Sequence, residues 1–295
     1  MKSDLPDFML HAIFKKPAFQ LVVGNFRKLA SQGILRHDAD PVAGRLLAEA
    51  LSSAALMTAL LSDGERYSIR IGCSGPLGAL IVDAKSGGAV RGLVQNPHVM
   101  ESADSVEVAC GDAGADVKLT RSQDGKILSS GESRSSFILP ASALGYHLSV
   151  SEEHETEIRC EIELRAEPAD PVRSAYGVLV QVLPGCDPME FDRIRTRLQM
   201  PEVGEILRNG MEKPEEGLRV LLSFLLERLE LPEFALKKLS PARFECGCSA
   251  ESLKKTAFQM LGREEIEKLL SENPNPTLQC RFCNAKYHLS ANDLR

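Results

Sequence analysis

The chain has 295 residues, enough for one large domain or two to three smaller ones, and 43% hydrophobic content supports a true core rather than wholesale disorder. A net charge of −6, with sparse aromatics and no Trp, argues against a dominant phosphate-binding surface, which needs clustered Lys and Arg. The start, MKSDLPDF, lacks the apolar stretch of a secretory signal, and the longest apolar run, 46–61, is broken by Glu49, Ser52 and Ser53, so neither export nor a membrane span is expected. The expected compartment is therefore the reducing cytoplasm, where eight cysteines point to metal or redox chemistry rather than to a disulfide scaffold.

The first two-thirds read as mixed α/β. Residues 19–23 are a short β-rich run, and 25–36 have a helical texture that closes before Asp38. Asp40-Pro41 is a helix start, an N-cap followed by proline at the first helical position. The helix it opens, over 42–61, is apolar on most faces and is expected to thread the core. Tyr67, Ile69 and Ile71 alternate with Arg66, Ser68 and Arg70, the period of a half-buried strand. Gly75-Pro76-Leu77-Gly78 turns the chain, and 79–83 and 89–94 flank a Gly87-Gly88 hairpin signal. Ile158, Cys160, Ile162 and Leu164 alternate with charged residues as the clearest strand pattern, and 178–183 completes the set before Pro184-Gly185.

From Asp187 the texture changes to helices broken by Pro and Gly. Phe191, Ile194 and Leu198 share one face, and Val203, Ile206 and Leu207 another. A longer helix over 215–230 carries Leu218, Leu221, Leu222, Leu225 and Leu229, an apolar face too wide to be left in water. An ordinary packed helix is the first reading of this face; the second is a helix whose cover depends on the segment that follows. That segment, 243–295, holds a helical face of Leu253, Ala257, Met260 and Leu261 broken by Gly262. A second short helix with Ile266, Leu269 and Leu270 is expected to end at Pro274 and Pro276, followed by β pieces at 277–280 and 286–289. The expected fold class is α+β: an α/β core domain over 1–184, a helical linker over 185–240, and a small zinc-binding domain over 241–295.

Two cysteine pairs carry the chemistry: Cys246-Gly-Cys248 and Cys280-Arg-Phe-Cys283, separated by 31 residues. Four thiolates from two tight turns satisfy tetrahedral zinc and leave no open position for water, which argues against hydrolytic zinc. A unit of roughly 50 residues buries too little apolar surface to fold securely alone, so metal binding is expected to supply much of its stability. The one-residue spacing of the first pair permits a small strained disulfide ring, easily reduced again, which suits a reversible switch better than a purely structural site.

The motifs Arg243-Phe-Glu-Cys-Gly-Cys-Ser249 and Cys280-Arg-Phe-Cys-Asn-Ala-Lys-Tyr287 resemble the redox-regulated chaperones of the heat-shock protein 33 family, the 33 kDa chaperonins. The similarity continues through Gly75-Pro-Leu-Gly78, Val90-Arg-Gly92, Asn96-Pro97 and Val180-Gln-Val-Leu-Pro-Gly185. The resemblance implies an ATP-independent holdase, inactive while zinc is held by all four cysteines. It further implies that oxidation joins Cys246 to Cys248 and Cys280 to Cys283, releases zinc, unfolds the linker and exposes a surface for unfolding clients. It also implies a homodimer in the active state, with no catalytic residues. The turn Gly72-Cys73-Ser74-Gly75 and the early Pro140 in a segment expected to be helical depart from the family pattern and bear on local geometry.

Two rival readings have weaker support. A nucleic-acid-binding zinc ribbon needs a basic stripe, but 243–295 holds eight Lys or Arg against seven Asp or Glu, with a further −2 from four thiolates and one zinc. A dithiol oxidoreductase needs an exposed Cys-x-x-Cys at a helix N-terminus, whereas Cys280 and Cys283 fall between β pieces. No phosphate-binding Gly-rich loop supports an ATP cycle. Nor are a membrane partner or a nucleic acid expected. Cys73, Cys110, Cys160 and Cys186 form no ligand-spaced group; Cys160 reads as buried, Cys186 as exposed, and His288 as a surface or packing residue.

Overall fold

A strand buried on both faces shows no alternation of apolar and polar residues, because every side chain enters one core or the other. That condition governs the middle of this protein. The computed structural model describes residues 5–273 and 275–294; the expectation that Pro274 ends a helix lies outside the described residues. The chain divides into two compact units, Met1–Phe244 and Glu245–Arg295.

In chain order the first unit opens with strands β1 (Phe8–Lys15) and β2 (Ala18–Asn25) and helices α1 (Arg27–His37) and α2 (Pro41–Met57). Strands β3 (Glu65–Cys73), β4 (Ala79–Lys85) and β5 (Ala89–Val94) follow, then the short helix α3 (Val106–Cys110). Next come β6 (Ala115–Gln123), β7 (Lys126–Ser135), α4 (Pro140–Ser151), β8 (Thr156–Leu164) and β9 (Val172–Val182). Helices α5 (Pro188–Leu198), α6 (Pro201–Gly210) and α7 (Pro214–Leu226) and strands β10 (Phe234–Leu239) and β11 (Arg243–Phe244) complete it. One sheet has the order β10-β1-β2-β9-β8 with every neighbour antiparallel; the other runs β11-β5-β4-β3-β6-β7, with only β11 joining in parallel.

Helix α2 lies in the core between the sheets, as its all-round apolar sequence predicts. Asp40 caps it, accepting from the Ala43 N–H at 2.8 Å, and Pro41 fills the first turn. Leu46, Leu47, Leu51 and Leu56 are fully buried with Ile69, Leu80, Val82 and Leu119 of one sheet and Val22 and Leu179 of the other. At about 1.5–3 kcal/mol for each large apolar side chain buried, this layer is the main source of the unit's stability. Pro140 starts α4 at its first turn, where a missing N–H costs nothing, so the early proline leaves that helix intact.

The other face of the five-stranded sheet carries a second core. Phe19, Leu21 and Val23 of β2 and Tyr176, Val178 and Val180 of β9 point into it, while Val22 and Leu179 between them point the opposite way. Leu218, Leu221, Leu222 and Leu225 of α7, with Phe191, Ile194 and Leu198 of α5, close over this face. The cover of the apolar helix is thus within the first unit. Polar contacts also fasten the layer: Arg159 of β8 donates to the carbonyls of Leu198 and Met200 at 2.7 and 2.6 Å, and Arg208 of α6 reaches Glu161 at 2.7 Å.

Several expectations are corrected. Strands β1, β6 and β7 were not foreseen, and the stretch expected to be a wholly helical linker contains β10, which pairs with β1 through Phe14 opposite Phe234. Helix α7 stops at Leu226 because Glu227 turns left-handed (φ 55°), so Leu229 lies beyond it and is fully exposed. Cys186 is half-buried against the second core, not exposed, and burial raises its thiol pKa. Cys160 is half-buried against the first, and burial likewise raises its pKa. Among the described residues, no helix is long and apolar enough to cross a membrane.

Glu49 is buried in α2 and accepts from the Ala141 N–H at 3.1 Å, at the start of α4. Burial pushes its pKa up to about 7 from an ordinary 4.5. The folded state therefore favours the protonated acid: its contribution is complete below the unfolded value and is lost as pH rises through 4.5 to about 7. In urea unfolding, Glu49→Gln is expected to remove a loss of roughly 3 kcal/mol across that window. Parallel pH profiles for the two proteins would exclude Glu49 as the source.

Candidate metal centre

The second unit is built around a helix and a hairpin. Helix α8 (Ala250–Glu272) is interrupted at Gly262, whose φ of 77° and ψ of 167° break it where the sequence predicts. Strands β12 (Thr277–Gln279) and β13 (Lys286–His288) pair antiparallel with Leu278 opposite Tyr287. The buried apolar side chains joining these pieces are Ile266, Leu270 and Leu289, with Ala257, Phe258 and Leu278 partly covered. Met260 and Leu261, expected on the packed face, are exposed at 79% and 50%. So small a core cannot account for a stable fold.

Two local devices aim the sulfurs. Ser249 caps α8 with reciprocal bonds: its hydroxyl accepts from the Ser252 N–H at 3.1 Å, and the Ser252 hydroxyl accepts from the Ser249 N–H at 3.0 Å. This capping box sets Cys248 just ahead of the helix. Between β12 and β13, the Cys280 N–H donates to Ala285 O at 2.9 Å and the Asn284 N–H to Cys280 O at 2.8 Å. Asn284, left-handed at φ 58°, closes this turn.

All four expected residues, Cys246, Cys248, Cys280 and Cys283, are brought together, with their Sγ atoms within 4.8 Å of one another. Cys246 and Cys280 lie 3.7 Å apart, and Cys248 and Cys283 3.4 Å. A tetrahedron with metal–sulfur bonds of about 2.3 Å has edges of about 3.8 Å, so the donor set suits a four-thiolate metal site. Burial is the largest influence on the two inner thiols: it raises Cys280 and, with the neighbouring thiols adding to the rise, pushes Cys283 up to about 12. Four such groups ionise together only around a cation. Because all four sulfurs are mutual neighbours, proximity alone does not select the disulfide pairing on oxidation.

One supporting residue escaped sequence reasoning. Tyr287 donates from its phenol to Cys248 O at 3.3 Å, with the phenol oxygen 3.4 Å from Cys248 Sγ. The contact with the Cys248 sulfur is the first cause pushing its pKa up to about 12. The pairing of Leu278 with Tyr287 delivers it, a register invisible before the hairpin is known. His288 is exposed, 3.5 Å from the Thr277 hydroxyl, and stands outside the sulfur cluster. Cys280 and Cys283 flank a hairpin turn, not the helix N-terminus a dithiol oxidoreductase needs.

Comparison with known proteins points one way. The family model described as Hsp33 protein matches residues 7–290. A 33 kDa chaperonin of Geobacter sulfurreducens is 31% identical, covering 99% of this chain and 95% of its own length. One from Enterococcus faecalis is 29% identical over 98% and 95%. The crystal structure of a 33 kDa chaperonin from Thermotoga maritima, at 21% identity, superposes with a TM-score of 0.81 over 97% of this chain and 96% of that one, which shows the shared fold.

Tyr287→Phe is expected to keep the metal stoichiometry but weaken zinc affinity roughly tenfold, as loss of a partner behind a ligand does. Competition with a colorimetric chelator reads this directly. Unchanged affinity would show that the phenol takes no part in holding the site.

Proposed function

The chain belongs to the Hsp33 family of chaperones, and we propose that it is an ATP-independent holdase kept inactive by zinc on Cys246, Cys248, Cys280 and Cys283 and activated by oxidation. The observation that carries this is the cluster of four sulfurs within 4.8 Å in a unit whose apolar core, among the described residues, is three buried side chains. Zinc, when bound, supplies the positive charge that keeps the four thiols ionised and the unit folded.

Activation starts at the sulfurs. With a peroxide, each thiol pair gives up two electrons and two protons, one S–S bond forms, and the peroxide leaves as water. The proposed pairs are Cys246–Cys248 and Cys280–Cys283, which family membership supports. Disulfide sulfurs carry no charge to hold a cation, so the unit loses its main stabilising interaction. The layer from α5 to β10 directly precedes this unit in sequence. Its release from the five-stranded sheet bares Phe14, Phe19, Leu21, Val178 and Val180, all at most 1% exposed in the folded chain. An apolar face of that size is what an unfolding client binds. No step in this scheme calls on a nucleotide or a catalytic residue. Action as a homodimer in the cytoplasm belongs to the same proposal and is supported by family membership.

Light scattering from a heat-unfolded client tests the switch. Peroxide-treated protein is expected to suppress aggregation and the reduced, zinc-loaded form to leave it unchanged, with zinc release tracking the gain. Suppression by both forms would leave a chaperone whose zinc is not the switch; suppression by neither would leave a structural site. Hydrogen exchange supplies an independent check. Amides of α7 are expected to lose protection on oxidation, and equal protection before and after would remove this face as the client surface.

A further inference from the structure

Two cysteines that take no part in the four-sulfur cluster, 37 positions apart in the chain, meet in the first unit. Cys73 is the last residue of β3, opposite Ala115 of β6, and its N–H donates to Gly78 O at 2.8 Å, closing the turn that follows. Cys110 is the last residue of α3. Two backbone bonds seat the turn on the end of that helix: Gly75 N–H to Cys110 O at 2.8 Å, and Leu77 N–H to Ala109 O at 3.0 Å. The approach is close enough to need glycine on both sides. A Cβ on Gly75 would lie 2.7 Å from the Cys110 carbonyl carbon, and one on Gly111 (φ 80°) 2.4 Å from the Ser74 hydroxyl. The turn that departs from the family pattern is therefore where the second thiol is met.

We propose that Cys73 and Cys110 form a second oxidisable thiol pair, closing a disulfide between the end of β3 and the end of α3 in the presence of a peroxide. The two thiols are neighbours at this contact, each the first influence on the other's ionisation. Cys73 is half-buried and open to a small oxidant, while Cys110 is 1% exposed behind it. Their environments divide the labour. Cys110 beside it holds Cys73 below the ordinary thiol range, helped by the Arg70 cation, while Cys73 and burial drive Cys110 up. Cys73 is thus the attacking thiolate and Cys110 the resolving thiol.

The chemistry balances. The Cys73 thiolate attacks one peroxide oxygen, the O–O bond breaks, and a sulfenic acid forms as the other oxygen leaves as hydroxide and takes up a proton. Cys110 then gives up its proton and attacks the Cys73 sulfur, the S–O bond breaks, and water leaves. Overall, two thiols and one hydrogen peroxide become one disulfide and two waters. Helix α3 packs against α2, and β3 lies in the sheet that lines the same core, so the bond braces the first unit. Under the switch proposed above, the oxidant that opens the second unit would secure the first; this consequence, but not the disulfide, rests on that reading.

The test uses the full chain, titrated with hydrogen peroxide, quenched in denaturant with N-ethylmaleimide, digested without reductant and analysed by mass spectrometry. The expected product is a Cys73 peptide joined to a Cys110 peptide, two hydrogens lighter than the separate thiol peptides and split by reductant. In Cys73→Ser it is expected to vanish and Cys110 to be recovered as its maleimide adduct. In Cys110→Ser, Cys73 is expected to accumulate as a sulfenic acid trapped by dimedone. Recovery of both residues as maleimide adducts throughout the titration overturns the proposal, as does Cys73 joined mainly to any other cysteine. Neither readout depends on zinc release or client protection, so the two proposals fail separately.

Discussion

Four thiols within 4.8 Å of one another cannot all ionise in a folded chain unless a cation stands among them. Their mutual repulsion and partial burial make the cluster unfavourable by itself, and the small core of the second unit, Ile266, Leu270 and Leu289 among the described residues, has little to set against that cost. A divalent metal reverses the balance, turning the repulsion of thiolates into four bonds. Under the proposed switch, the unit is stable to the extent that its sulfurs are reduced and occupied, and the smallness of its core contributes to that coupling as much as the cysteines do.

The first unit has the opposite economy. Its central helix lies between two sheets, and one of those sheets is buried on both faces. The face toward α2 is shared with α1, α4 and the six-stranded sheet. The outer face is covered by three short helices, each opened by a proline in its first turn, while β10 extends the sheet at its β1 edge. This outer layer combines apolar contact with a few directed bonds, such as the Arg159 side chain on the carbonyls at the end of α5. A layer of short helices on a flat apolar face can separate from it without dismantling the core behind, which is the property a conditional binding surface requires.

Cysteine identity says little until the surroundings are known. Cys160 and Cys186 have thiols raised by burial and are poorly suited to oxidation. Cys73 has a second thiol and an arginine near it and is lowered. At the metal centre, Cys280 and Cys283 are raised first by burial, and all four sulfurs lie within 4.8 Å of one another. The same side chain thus serves as packing, as a candidate redox pair and as a candidate ligand, according to its neighbours' charge and the water it has lost.

The sequence alone was enough for features set by local spacing. The Cys-x-Cys and Cys-x-x-Cys pairs announce four convergent sulfurs because tight turns dictate where adjacent side chains point. Asp40-Pro41 announces the start of α2, Gly262 the break in α8, and the alternation from Ile158 to Leu164 the strand β8. What it did not show depends on partners distant in the chain. Strand β1 escaped notice because a strand buried on both faces has no period, and β10 because its place was decided by pairing with β1. Leu229 read as part of a packed helix until a left-handed Glu227 ended that helix short of it. The meeting of Cys73 with Cys110, and of Tyr287 with Cys248, required the tertiary structure, because hydrogen bonds across a fold join residues whose separation in sequence carries no signal.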